Sequence, residues 1–514
     1  MHSTTHKNGP VLLISHELSY TFPFSYAYLA GALKEAGFVV EVLFRPGLQA
    51  DFPKFVKEIL ARKPLMVGLG NLYPELLPIK RLIELMDTGG RDFPIVIGGQ
   101  MVSPTPEFAL QITGADMGVI GEGELTMTNL ARALRDGKDP ASVSGMVVRN
   151  ELNFINTGPG EYIKDLTELP EIPFELFPEE QWLQVGKVFV NNPQPQWRYD
   201  DRVISIHGGR GCPFRCNFCY HHSRIRYRRI EDMMQEAQEW LKRFDGNMLM
   251  FSDDLVLATP KRAEKLVELV SGLDRKVDYR ITCRFDVLSK IDDHLLREMK
   301  RTGLRIMALG IESGSQRILD IMDKRITVDQ IRDGVRRLAE NGIFASGNFM
   351  FGQISETRED GDASIALMQD LCKLHKHIQL SSTIATPFPG SGLCDYALEK
   401  GLIKDQQDLF DRFNSFVDIS VNLSDMSDEE LLDLKRQFDT GYREARTNSS
   451  GAMTAMVENS IRRLGGLDMK LRRRLFSDHP ETPPSWYSNT YDLAQRTLGK
   501  LQLSLRGISR FETI

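Results

Sequence analysis

The stretch "GGRGCPFRCNFCYHH" (208–222) holds Cys212, Cys216 and Cys219, half of the chain's six cysteines, with three and then two residues between them. Thiolates bind zinc and iron–sulfur clusters, so a group this tight points to a metal centre. Three readings compete. Structural zinc closes four ligands, usually as two separated pairs, and here only His221 or His222 stands near as a fourth. A ferredoxin-type carrier takes four cysteines per cluster, but Cys283, Cys372 and Cys394 are dispersed without motif spacing. The third reading uses the deficit: three thiolates hold three irons of a [4Fe–4S] cluster and leave the fourth open to a substrate or cofactor.

Outward from the cysteines, apolar strands alternate with amphipathic helices. "VISIH" (203–207) runs into the cysteine stretch, and "NMLMFS" (247–252), "DYRITC" (278–283), "LRIMALGIE" (304–312), "IFASGNFMFG" (343–352) and "HIQLSSTIA" (377–385) follow. Between them, segments such as "TVDQIRDGVRRLAENG" (327–342) carry apolar residues at three- and four-residue steps. Six strands with crossover helices predict a partial (β/α) barrel over 201–395. The cysteines then lie at its carboxyl-end face, where catalytic groups of such barrels gather.

Upstream, "PVLLIS" (10–15), "VVEVLF" (39–44), "LMVGLG" (65–70), "FPIVIGG" (93–99) and "MGVIGEGE" (117–124) predict a Rossmann-like, doubly wound parallel sheet over 1–140. Its ligand belongs at the strand ends, which carry "LGNLYPE", "GGQMVSPTPE" and "GEGE". Glycines there admit close backbone approach by a bulky ligand, or simply make tight turns. A hairpin and a proline-punctuated linker fill 141–200.

With 64 basic and 70 acidic residues the net charge is −6, which gives no general attraction for nucleic acid. No run of about 18 apolar residues occurs, so no transmembrane segment is expected. Six cysteines, three of them kept for a metal, suit a reducing, cytoplasmic setting.

"CPFRCNFC" (212–219) resembles the Cys-x3-Cys-x2-Cys signature of the radical S-adenosylmethionine enzymes, with Phe218 at the usual aromatic place. The resemblance implies a [4Fe–4S] cluster on Cys212, Cys216 and Cys219. Its open iron would chelate S-adenosylmethionine, and one electron would release a 5′-deoxyadenosyl radical. "MFSDDLVLA" (250–258) puts Ser252, Asp253 and Asp254 where the family often has Gly-Gly-Glu, a form similar to the cobalamin-associated branch. Those carboxylates would meet the cofactor's ammonium, or serve as helix caps. "CRFDVLS" (283–289), "GIESGS" (310–315), "GNFMFGQISET" (347–357) and "TPFPGSGL" (386–393) also look like blocks of that branch, and imply cofactor contacts at Arg284 and Glu312.

The amino-terminal domain, through "YAYLAGALKEAGFVVEV" (26–42), "GGQMVSPTPEFAL" (98–110) and "GADMGVIGEGELT" (114–126), resembles the cobalamin-binding domain of such enzymes. The implied corrinoid contacts are Asn71, Tyr73 and Glu75, then Gly98, Gly99, Gln100 and Ser103, then Gly121, Glu122 and Gly123. The Asp-x-His-x-x-Gly motif is absent, which leaves the lower cobalt face to water or a side chain such as Tyr73.

Cobalamin-dependent methylation of an unactivated carbon is therefore expected, with no specific catalytic residue assigned. Anaerobic oxidative cyclisation or another radical rearrangement is the alternative, and non-catalytic metal or redox binding the reading outside the family. The resemblance implies a small-molecule, lipid or pigment-like substrate and an electron donor such as flavodoxin or ferredoxin. Residues 396–514 read as a helical region. Within it "SIRRLGGLDMKLRRRLF" (460–476) serves as part of a cap or rests peripherally on an anionic membrane.

Overall fold

The structure, a computed structural model, describes residues 6–15, 22–45, 52–151, 153–183, 196–198, 200–220, 223–253 and 255–450. His221, His222, Asp254 and the basic segment 460–476 lie outside these residues. The described residues fall into two compact units that do not follow chain order. One draws on 1–179, 209–229 and 384–423, the other on 180–208, 230–383 and 424–514.

The first unit is built on a seven-stranded sheet. Its strands are β1 (Val11–Ser15), β2 (Val40–Phe44), β3 (Met66–Gly70), β4 (Ile95–Gly98), β5 (Met117–Val119), β6 (Met146–Asn150) and β7 (Asn153–Asn156), in the order β2-β1-β3-β4-β5-β6-β7. The first five are parallel, and all five residues of β1 are buried, as a strand covered on both faces requires. Strand order reverses beside β1, the switch point at which open α/β sheets bind ligands beyond their carboxyl ends. β4 and β5 are shorter than their apolar runs. Pro94 has no N–H to give a ladder, and Gly121, at φ +81, turns the chain after β5. The hairpin β6–β7 pairs antiparallel with β5 and so extends this sheet.

The second unit holds β8 (Val203–Ile206), β11 (Met248–Phe251), β12 (Asp278–Cys283), β13 (Leu304–Glu312), β14 (Phe344–Phe351) and β15 (Gln379–Ile384). They lie side by side as β15-β14-β13-β12-β11-β8, open at both edges, with parallel pairing from β8 through β14. Trp197, Val203, Met248, Met250, Ile306 and Phe344 pack into one cluster of its core. Crossover helices start on designed caps. The Thr327 hydroxyl accepts from Gln330 N–H while the Gln330 side chain accepts from Thr327 N–H, opening Val328–Glu340, and Thr357 with Asp360 opens Arg358–Leu374 in the same way. At the amino ends of the strands Arg305 grips Asp201 through both guanidinium arms, at 2.9–3.0 Å, with Asp278 at 2.9 Å.

The edge strand β15 is not left bare. Helix Asp428–Ser450 brings Tyr442, whose hydroxyl accepts from Leu380 N–H at 3.0 Å and donates to Ile378 O at 3.1 Å. Ser382 donates to Asp439 of the same helix at 2.6 Å. Side chains here take the groups that a bare edge would offer to another strand. No helix among the described residues is long and apolar enough to cross a membrane. Tyr442→Phe removes both bonds to the edge. Hydrogen exchange should find the Leu380 amide opening more easily by about 1 kcal/mol, with strands β11 to β13 unchanged.

Candidate active site

The three cysteines sit in a loop of the first unit, closed at its neck by a two-residue ladder between β9 (Gly209–Arg210) and β10 (Arg226–Tyr227). Glycine is required at this neck. A Cβ on Gly209 would meet the Tyr227 ring at 2.8 Å, and Gly211, at φ +76, would bring one to 2.6 Å from Ser223 O. Inside the loop Cys219 N–H donates to Cys216 O at 3.0 Å. Cys216 is buried, whereas Cys212, Cys219 and Phe218 are half-buried, and none of the six cysteines is in a disulfide. The loop also leans on the "TPFPGSGL" block. Leu393 N–H donates to Asn217 O at 3.1 Å, and Gly390, at φ +82, leaves room for the Tyr220 ring and Pro104.

The other cysteines are of a different kind. Burial pushes the Cys283 thiol up to about 12 and the Cys372 thiol to about 11, and raises that of Cys394, so each stays protonated. Among the described residues no three His, Cys, Asp or Glu side chains are gathered as a single ion would need. Three cysteines along one loop, none in a disulfide, fit the wider donor set of a polynuclear cluster.

Above the neck stands a group of buried charges. Arg210 donates to Glu122 at 2.6 Å and pairs with Glu124 through its other arm, while Arg226 pairs with Glu122 and donates to Ile163 O. The Glu122 carboxyl sits below its ordinary range because the two guanidiniums outweigh the effect of burial.

The strand ends of the first sheet form a continuous rim. Ser103 donates to Gly99 O at 3.2 Å and accepts from Gly121 N–H at 3.0 Å, joining the loops after β4 and β5. Met101 N–H donates to Asn71 O at 3.1 Å, which adds the loop after β3. Gly99, at φ +85, lies so close to Asn71 that a Cβ would come within 2.9 Å of its carbonyl, whereas a Cβ on Gly121 would meet open space. Gln100 and Leu72 are exposed. Bare backbone with an exposed apolar side chain suits a large flat ligand. Two expected rim residues are engaged elsewhere. Tyr73 is buried against Phe388 and Phe413 at ring distances of 5.4 and 6.0 Å, and Glu75 pairs with Arg45 at 2.8 Å. Gly123 gives way to Leu29, which a Cβ would meet at 2.9 Å.

The carboxyl ends of the second sheet carry the remaining candidates. Asp253 follows β11, and its Oδ1 accepts from Gly208 N–H at 2.6 Å, pinning the segment after β8. Arg284 donates to Asp286 at 2.9 Å and to Lys324 O. Glu312 ends β13 in the left-handed region, at φ +65 where the register shifts, and pairs with Lys324 Nζ at 2.7 Å. Gly310 makes room for that pair, since a Cβ there would strike both partners. Lys324 thus joins Arg284 to Glu312, though nothing in its local sequence marks it.

Glu356 was also missed. It is fully buried, its Oε2 accepting from Gly352 and Gln353 N–H at 2.5 and 3.0 Å. Ser252 Oγ, Gln353 Oε1 and Glu356 Oε1 are buried without hydrogen-bond partners. An orphaned buried polar atom costs ~1–3 kcal/mol, so this edge carries unmet hydrogen-bonding capacity. Burial pushes the Glu356 carboxyl up to about 7. A raised carboxyl binds its proton more tightly folded than unfolded. Its stabilisation is therefore complete below the ordinary glutamate range and disappears as pH rises through about 7. Thermal unfolding from pH 5 to 8 should show a loss of up to about 3 kcal/mol that Glu356→Gln removes; identical slopes in the two proteins would contradict it.

Comparison with known proteins agrees with this arrangement. Residues 206–368 match the Radical SAM superfamily and residues 11–131 the B12 binding domain. An uncharacterized methyltransferase of Pyrococcus horikoshii is 27% identical over 74% of this chain and 79% of its own. The anaerobic magnesium-protoporphyrin IX monomethyl ester cyclase of Rubrivivax gelatinosus is 26% identical over 79% and 71%. The fold is that of the radical S-adenosylmethionine methyltransferase TsrM from Kitasatospora setae, with a TM-score of 0.59 and 19% identity over 76% of this chain and 75% of that one. The sheet with its glycine rim, the cysteine loop and both family matches lead to one conclusion: the chain belongs to the radical S-adenosylmethionine enzymes that carry an amino-terminal cobalamin-binding domain.

Proposed function

We propose that this enzyme methylates an unactivated carbon of a small molecule, using cobalamin as the methyl carrier. The observation that carries the reading is that the cysteine loop and the glycine rim belong to one compact unit, tied together through Glu122. Cys212, Cys216 and Cys219 would hold the cluster, and the backbone at Gly98–Gly99 and Gly121 would hold the corrinoid. When bound, the cluster supplies the electron that splits S-adenosylmethionine, and the corrinoid supplies the methyl group.

The chain's own residues have definite tasks around these groups. Ser252, Asp253 and Asp254 after β11, Arg284 after β12 and Glu312 at the end of β13 would orient the charged and hydroxylated parts of S-adenosylmethionine. Lys324 would hold Glu312 in place through their buried ion pair at 2.7 Å. Gln100, Ser103 and Gly123 line the corrinoid rim with Asn71. His6 is bonded to Asp92 at 3.2 Å, before β4 and so at the far end of that strand from the rim. His2 and His16 lie outside the described residues.

The thiols need a reducing compartment, the cytoplasm, and the reaction needs a one-electron donor of flavodoxin or ferredoxin type. The similarity to the cyclase keeps oxidative ring closure as the second reading. After anaerobic reconstitution the protein should hold about four irons and four sulfides, and Cys212→Ala, Cys216→Ala or Cys219→Ala should each abolish them. Replacing Cys283, Cys372 or Cys394 should spare them. With reductant and substrate, S-adenosylhomocysteine formed alongside 5′-deoxyadenosine supports methyl transfer, and 5′-deoxyadenosine alone supports the cyclase reading. Stoichiometric zinc in anaerobically purified protein would overturn both.

A further inference from the structure

The neck of the cysteine loop contains a conflict that the sequence hides. Arg210 and Arg226 are direct partners in the antiparallel ladder of β9 and β10. Like charges placed opposite each other push strands apart, and a ladder of two residues a side has little backbone bonding to resist this. Neither arginine reaches solvent freely, with side-chain exposures of 12% and 11%.

What resolves the conflict comes from more than 80 residues upstream. Glu122, in the loop after β5, gives one oxygen to Arg210 and the other to Arg226, and Glu124 takes the second arm of Arg210. The carboxylates are 6% exposed, so two buried cations face two buried anions. The Tyr28 ring lies 5.6 Å from Arg210 and the Tyr162 ring 4.9 Å from Arg226, covering the guanidiniums further.

We propose that Glu122 is a positioning residue for the cluster: by bridging Arg210 and Arg226 it clamps the neck of the cysteine loop and so sets the spacing of the three thiols. The inference rests on the reading of those cysteines as cluster ligands. Cys212 lies only two residues beyond Arg210, so movement at the neck passes directly to the first thiol. Without the carboxylate, Arg226 loses its buried countercharge while Arg210 keeps Glu124, and an uncompensated buried charge opposite another cation is among the costliest defects a protein can carry.

The test uses the full-length reconstituted protein and follows iron loss under a chelator, with the electron paramagnetic resonance spectrum of the reduced cluster and far-ultraviolet circular dichroism recorded alongside. Glu122→Gln should lose iron at least fivefold faster than wild type and broaden the cluster spectrum, with its secondary structure kept. Adding Arg226→Gln, which removes one of the opposed charges, should bring the rate back to within twofold of wild type. That rescue separates electrostatic clamping from a general role in folding. Iron loss at the wild-type rate in Glu122→Gln overturns the proposal, as does a double variant no better than the single one. Glu122→Asp keeps the charge one methylene short of both arginines and stands in should the glutamine variant not fold; an unchanged rate there is equally fatal. Wild-type protein that takes up no cluster would instead defeat the reading of the cysteines.

Discussion

Parallel pairing is the constraint on which the rest depends. When neighbouring strands run the same way, each must be joined to the next by a crossover, and every strand opens at its carboxyl end onto the same edge. The first five strands of one sheet and β8 to β14 of the other obey this, so residues far apart in sequence collect without any local instruction to do so. Asn71, Ser103 and Gly121 share one rim, and Ser252, Arg284 and Glu312 share another edge.

The two ends of the six-stranded sheet show what this polarity is used for. At the amino ends, Arg305 and Asp201 are buried as an ion pair, with the half-buried Asp278 beside them. At the carboxyl ends Ser252, Gln353 and Glu356 keep buried oxygens without partners, and Glu312 is held in a backbone conformation that disfavours a side chain. Glu312 and these unmet oxygens thus gather at the carboxyl ends, whereas an ion-pair network ties the amino ends together.

How much of this could be read beforehand follows from range. Strands were legible because burial on a parallel sheet leaves a contiguous apolar run, and the cysteine loop because its ligands lie within eight residues. The partners of the site residues were not. Lys324 stands twelve residues from Glu312, Glu122 more than a hundred from Arg226, and Tyr73 is covered by Phe388 and Phe413. Nothing in the sequence around Glu356 marks it as buried, since burial belongs to the fold and leaves no mark on neighbouring residues. The same holds for the rim glycines. Their sequence spacing favours a tight turn at any one glycine, and only the fold shows that a Cβ would meet open space at Gly121 but the Asn71 carbonyl at Gly99.

A unit assembled from three stretches of chain has a consequence for how the protein is made. The first unit cannot be completed until its last stretch, ending at residue 423, has left the ribosome, although its cysteine loop ends at residue 229. At synthesis rates of ~5–20 residues per second, the roughly 200 residues between them keep the loop waiting for about 10–40 s. During that interval the thiols are exposed to oxidation and to stray metal. The discontinuity of the fold therefore places the completion of the first unit well after the synthesis of the cysteine loop that belongs to it.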